Sequence, residues 1–355
     1  MKTAMKDRAA TVLCALGAAR LARRRRSGKL AILMFHGVEA EPLTPSCDWV
    51  IDSATLQRDL AYVRRSFNVL PLEEALDRLG NGTLPDRAAA ITFDDGTRNL
   101  LTNAAPVLRE LGLPAAVFLA TGPMGTTELL WPDRLWTAFK QTEVSEIDLS
   151  AEGLGRCALH TEVERNTLRD QLIERCKDLP DAVRLAGVER VVTALGQQSA
   201  ARGGPFQLLS WAEARELAAD GLVSLYPHTV THPILSRCDD DKVDQEITQS
   251  CRDVAFHTGT APTIFAYPNG RAQDFDERAK AVLRRNGVRW ALTTTNGFTG
   301  ADSDPLELPR MGFSTDQSFS VFKLKVSGFA LRPSRRRRRP TVKPDSEQVI
   351  KNVAV

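Results

Sequence analysis

Residues 88–96 read Ala-Ala-Ala-Ile-Thr-Phe-Asp-Asp-Gly: six residues suited to a buried strand, then two carboxylates and a glycine. The run is uncharged from Ala88 to Phe93 and too short for a helix, so it reads as a strand. Asp94-Asp95-Gly96 turns the chain out of it. Burying one unpaired carboxylate is costly, and two neighbours resist joint ionisation unless a cation neutralises them. A bound metal resolves this, with one aspartate as ligand and the other free as a base. An Asp-Asp-Gly turn with solvated carboxylates is the plain alternative.

Outward from this strand the same unit repeats. On the N-terminal side, Leu30–Phe35 is another apolar run. Ser53 offers an N-cap for a helix to about Ser66, with Leu56, Leu60 and Val63 at helical spacing. Asn68–Leu70 is extended, and Leu72–Leu79 is a helix stopped by Gly80-Asn81-Gly82. On the C-terminal side, Ala104, Val107, Leu108 and Leu111 mark a helix, and Ala115–Ala120 a strand. The rhythm breaks over about 123–205, where Trp131, Trp136 and a charged stretch near Glu162–Leu179 predict a helical insertion with the tryptophans in its core. It resumes with Trp211–Ala219 (helix), Leu222–Tyr226 (strand), Asp240–Phe256 (helix), Ile264–Tyr267 (strand), Phe275–Arg285 (helix) and Trp290–Thr293 (strand). Leu306–Leu308 is the expected last strand and Phe319–Phe329 a closing helix. Repeated strand–helix units imply a parallel sheet covered by helices, and either an open doubly wound sheet or a barrel satisfies the pattern.

Two more motifs follow strands. His228-Thr229-Val230-Thr231-His232-Pro233 spaces two histidines by four, which puts both imidazoles on one side of the backbone. Two histidines and a carboxylate leave positions open on a divalent ion, as catalytic sites do. Phe265-Ala266-Tyr267-Pro268-Asn269-Gly270 ends in a Pro-Asn-Gly turn that can present donors to an oxyanion.

The order TFDDG, HTVTHP, FAYPNG resembles the polysaccharide deacetylase family, the NodB-homology or carbohydrate esterase 4 group, over roughly Leu30 to Phe329. The resemblance implies a distorted, incomplete (β/α) TIM-like barrel with a helical insertion, its site at the C-terminal strand ends. It implies that Asp95, His228 and His232 hold one divalent ion, usually zinc, that Asp94 is the general base, and that a backbone N–H near Asn269, with Tyr267 and Pro268, faces substrate. The implied reaction removes acetyl groups from N-acetylhexosamine units of a polysaccharide or glycan precursor. An O-acetyl esterase and a non-catalytic carbohydrate-binding barrel are the alternatives.

The match has gaps. Ala266 stands where many members carry an arginine facing the catalytic aspartate, Asn269 where an aromatic often lines the acetyl pocket, and no histidine follows His257 to serve as the family's late general acid. Arg310, after Leu306-Glu307-Leu308-Pro309, is expected to replace the missing arginine and orient Asp94. His36, ending Leu30–Phe35, is a further candidate at the same mouth. His160 is expected at the surface, and His257 at a helix end where a positive charge suits the dipole.

Of 355 residues, 43% are hydrophobic and 26% charged, enough to bury a sizeable core. Five arginines lie within residues 20–26 and five more at 335–339; taking those ten from a formal charge of +3 leaves −7. A mildly acidic body of this kind does not resemble a nucleic-acid groove, and the arginine runs read as solvated tails or a contact with an anionic membrane surface. Six cysteines show no C-x-x-C spacing and are expected to be reduced and structural. The apolar run Thr11–Ala19 has its positive charge after it, unlike a secretory signal, and no run approaches the ~18 apolar residues of a spanning helix. The expectation is a cytoplasmic protein touching the inner membrane face, with export as the alternative. Residues 1–29 form a basic N-terminal segment, 30–331 the catalytic barrel, and 332–355 a disordered basic tail. The oligomeric state stays open.

Overall fold

The computed structural model describes residues 2–197, 204–315 and 317–329. Its strands are β1 (Ala31–Phe35), β2 (Gly37–Glu39), β3 (Val50–Asp52), β4 (Asn68–Val69), β5 (Ala88–Phe93), β6 (Ala115–Leu119), β7 (Glu146–Leu149), β8 (Gly155–Ala158), β9 (Val223–Pro227), β10 (Ile264–Ala266), β11 (Trp290–Asn296) and β12 (Leu308–Gly312). Seven of these pair in parallel in the order β10-β11-β12-β1-β5-β6-β9, while β4 takes the start of β5. The sheet curls into a nearly closed barrel whose ends, β9 and β10, lie side by side without a shared ladder. Of the two architectures left open by periodicity, the chain adopts the barrel.

Alternation along each strand builds two cores. Ile32, Ala90, Phe118, Tyr226, Ala266, Leu292 and Leu308 gather on one face, inside the barrel. Leu33, Ile91, Val117 and Leu225 face the outer helices. The helices are α1 (Lys2–Ala15), α2 (Ala18–Arg24), α3 (Ser53–Ser66), α4 (Leu72–Gly80), α5 (Ala105–Leu111), α6 (Trp131–Gln141), α7 (Glu162–Cys176), α8 (Asp181–Ala194), α9 (Trp211–Ala218), α10 (Asp240–Thr258), α11 (Glu277–Arg285) and α12 (Phe319–Val326). The insertion holds α6, α7 and α8 around its own core, and also an antiparallel hairpin, β7–β8. Trp131 and Trp136 are buried.

Several details differ from expectation. Asp52, not Ser53, caps α3: its Oδ1 accepts the Thr55 N–H at 2.8 Å, because Ser53 is already helical. A π-helical turn at Leu100–Ala104 precedes α5, where Pro106 lacks an N–H to continue the ladder. The last strand is Leu308–Gly312, so Arg310 lies inside it. Pro309 is tolerated because pairing to β1 starts only at Met311, and the ladder to β11 is irregular between Leu292 and Asn296. Two arginines of the N-terminal run are folded onto the body: Arg23 donates to Tyr62 and Ser327, and Arg26 to the Gly328 carbonyl. The run Arg335–Arg339 lies outside the described residues. All six cysteines are free.

Candidate active site

Five strand ends meet at one mouth. Thr92 of β5 and Asp94 just after it continue the inward-facing series of Ala88 and Ala90, and in β12 Arg310 follows Leu308 on the same face. The two therefore converge inside the barrel. Arg310 is fully buried and grips Asp94 with two bonds, Nη1 to Oδ1 and Nη2 to Oδ2, each 2.7 Å. Two of its other three donors are placed too, Nε on the Thr293 carbonyl at 2.9 Å and Nη1 on Thr92 Oγ1 at 3.2 Å. Burial pushes the Asp94 carboxyl up, but the Arg310 guanidinium, together with the His228 and His36 rings, outweighs it and holds the group well below the usual carboxylate range. Alanine at 266, 90 and 116 leaves room in the barrel for this arginine.

The next residue turns the other way. Asp95 has φ 70°, and Gly96 follows at φ 78°, where a Cβ would stand 2.6 Å from Leu119 Cδ2. Only glycine fits there. The turn brings Asp95 Oδ1 to 3.6 Å from His228 Nε2 and 3.3 Å from His232 Nε2, and one ligand atom from each of the three residues lies within 4.8 Å of the others. His228 Nδ1 donates to the Ala266 carbonyl at 2.7 Å, which fixes the tautomer that leaves Nε2 free to ligate. Burial lowers the His228 pKa to about 4 and holds that of His232 well below its ordinary value, so both rings are neutral. Burial pushes Asp95 up to about 7. Its Oδ1 has no hydrogen-bond partner among the described residues, nor do His232 Nδ1 and Asn269 Nδ2. Two neutral imidazoles around an orphaned carboxylate oxygen form a donor set that suits a divalent cation.

Strain marks the same spot. Asp95, Thr229, His232 and Asn269 are four of the five non-glycine residues with positive φ among the described residues. Glu246 of α10 anchors the histidine loop, accepting from Val230 N (2.7 Å), Thr231 N (2.8 Å) and Thr231 Oγ1 (2.6 Å).

A cleft of about 250 Å³ opens over these groups. His36 and Asn269 line it beside the carboxylates. Tyr267 and Pro268 do not. The Tyr267 ring stacks on Phe275 at 4.0 Å, its hydroxyl donates to the Leu306 carbonyl, and its N–H is committed to Leu292, while Pro268 has no N–H. Of the three residues expected to face substrate, Asn269 alone lines the cleft. His257 stacks on Trp211 at 4.0 Å, away from the cleft. The sequence reading missed Trp49, Asp133 and Arg271, which also line the cleft, and Glu246 behind it. None of them carries a signal in the sequence: Asp133, in Trp131-Pro132-Asp133, looks like any acid in the first turn of a helix.

The family model described as polysaccharide deacetylase matches residues 81–291, which include the carboxylate pair and both histidines but not His36 or Arg310. Solved structures share the fold. The Streptococcus pyogenes deacetylase PplD in complex with acetate is 17% identical, with a TM-score of 0.55 over 84% of this chain and 98% of that one. IcaB from Ammonifex degensii is 18% identical, with a TM-score of 0.54 over 85% and 97%. A de-N-acetylase from Aggregatibacter actinomycetemcomitans is 15% identical, with a TM-score of 0.52 over 84% and 99%. No curated protein matches the sequence. The structural likeness speaks for the barrel, and the family match, which spans more than half of the residues, speaks for descent: the chain belongs to the polysaccharide deacetylase family.

Proposed function

We propose that the protein is a metal-dependent hydrolase that removes acetyl groups from N-acetylhexosamine units of a polysaccharide or glycan precursor. The observation that carries this reading is an arginine-clamped Asp94 next to a three-residue ligand set with an orphaned carboxylate oxygen. Asp95, His228 and His232 would hold the ion, zinc by the family's habit. A divalent ion there supplies Lewis acidity, acidifying water and polarising an acetyl carbonyl. Asp94 takes the proton of the attacking water, and Arg310 fixes the direction in which its carboxylate points. The orphaned Nδ2 of Asn269 donates to the oxyanion.

Acetate release on a panel of N- and O-acetylated glycans, with chelated and zinc-reconstituted protein, tests this. Release from N-acetylated oligomers that chelation abolishes and zinc restores is expected. Activity confined to O-acetyl esters would move the assignment to esterase, and no release from any glycan would leave a binding barrel.

A peripheral membrane contact at the cytoplasmic face belongs to the same proposal. Val12 on α1, Leu16 in the turn after it and Leu21 on α2 are exposed, and so are Arg20 and Arg24 of α2. Co-sedimentation with anionic but not zwitterionic vesicles is expected; absence of both would remove it.

A further inference from the structure

The family's late histidine is missing here, and the structure offers another proton donor. We propose that Asp133, brought to the cleft by the insertion helix α6, is the general acid that protonates the departing amine. The inference rests on the deacetylation reading above.

Three observations carry it. Asp133 lines the same cleft as Asp94, Asp95, His228 and His232, yet it comes from the insertion and not from a barrel strand. Its carboxyl is buried, with the residue 3% exposed. Only one oxygen is engaged: Oδ1 accepts the Trp49 indole N–H at 3.0 Å, and no other hydrogen bond reaches the carboxyl among the described residues. Sharing the cleft with it are His36 from the end of β1, Asp94 and Asp95 after β5, His228 and His232 after β9, Lys177 after α7 and Arg271 after β10, and Asp95 and Cys47 lie within its field. None of the cations touches it: Lys177 and Arg271 are both spent on Glu174. Burial therefore goes largely unopposed, and even with the Trp49 bond the carboxyl rises to about 7. An acid protonated near neutrality suits proton donation.

The protons balance. Water gives one proton to Asp94 as its oxygen bonds to the acetyl carbon. Asp133 gives its proton to the amide nitrogen as the C–N bond breaks, releasing free amine and acetic acid. Asp94 then returns a proton to solvent and Asp133 takes one up.

The test compares leaving groups. Asp133→Asn keeps an acceptor for Trp49 but has no acid proton. It is expected to lower deacetylation of an N-acetylglucosamine oligomer about 10²-fold, and to erase the basic limb of its pH–rate profile. Hydrolysis of 4-nitrophenyl acetate, whose phenolate leaves without a proton, is expected to be little changed, which also shows that the variant folds. Asp133→Glu should restore part of the oligomer activity. Equal loss on both substrates would make Asp133 structural, and no loss on either would make it a bystander. A leaving-group-dependent loss in His36→Gln instead would assign the acid to His36. Wild type that splits the aryl ester but no N-acetyl sugar overturns the amide reading itself, and with it the need for a proton on nitrogen.

Discussion

Asp94 and Asp95 are chemically identical neighbours, and a half-turn of backbone separates their environments. Asp94 continues the inward series of β5 and meets Arg310, while Asp95 swings out at positive φ toward two imidazoles. Substitution should separate them. Asp95→Asn is expected to lose bound metal by elemental analysis, whereas Asp94→Asn keeps it and loses about 10²-fold or more in turnover. Equal metal content in the two variants would refute the division. Arg310→Ala leaves a buried carboxylate without its partner, at a cost of about 3–5 kcal/mol. It should also move activity along the pH axis. The wild-type Asp94 pKa is depressed, so its ionised form persists until pH falls well below the ordinary carboxylate range. Without Arg310, burial is opposed only by the His228 and His36 rings, and the carboxyl holds its proton to higher pH. The acidic limb of kcat/KM therefore shifts upward, and a limb that stays in place would rule the role out.

At the scale of elements, the strand ends were the legible part. Six uncharged residues running into two carboxylates, or a strand running into two histidines four apart, break composition so sharply that their positions carry meaning without neighbours. Arg310 was legible only in part, since Pro309 reads as a strand end and a ladder irregularity hides its tolerance. Asp133 and Glu246 were not legible. One looks like an ordinary acid in a helix's first turn and the other like a solvated residue in a charged helix, and only the tertiary fold brings Trp49 to the first and the loop after β9 to the second. Glu246 is nevertheless what shapes the histidine loop, which holds Thr229 at φ 68° and His232 at φ 59°. Glu246→Ala strands two loop N–H groups and should cost about 1–3 kcal/mol, with metal affinity falling about 10- to 100-fold. Isothermal titration with zinc measures the second effect. Unaltered affinity would mean that the loop keeps its shape without Glu246.

The whole barrel carries one discontinuity, and the candidate metal site sits on it. No ladder joins β9 to β10, but His228, directly after β9, donates through Nδ1 to Ala266 of β10 while its Nε2 faces Asp95. One ring thus ties the two edges of the sheet together and offers a ligand. His232 also faces Asp95, yet its Nδ1 has no partner among the described residues and it ties nothing across the seam. The two histidines should therefore be equivalent for metal and unequal for stability. His228→Ala and His232→Ala are both expected to abolish the rise in Tm that zinc confers on the chelated wild type, since binding to the folded state alone stabilises by mass action. In the metal-free state His228→Ala is expected to be the less stable by about 1–3 kcal/mol, because it leaves the Ala266 carbonyl buried and unpaired. Urea unfolding of both chelated variants decides the point. Equal midpoints would show that the barrel closes without this bond, and a larger loss in His232→Ala would place the structural burden on the loop.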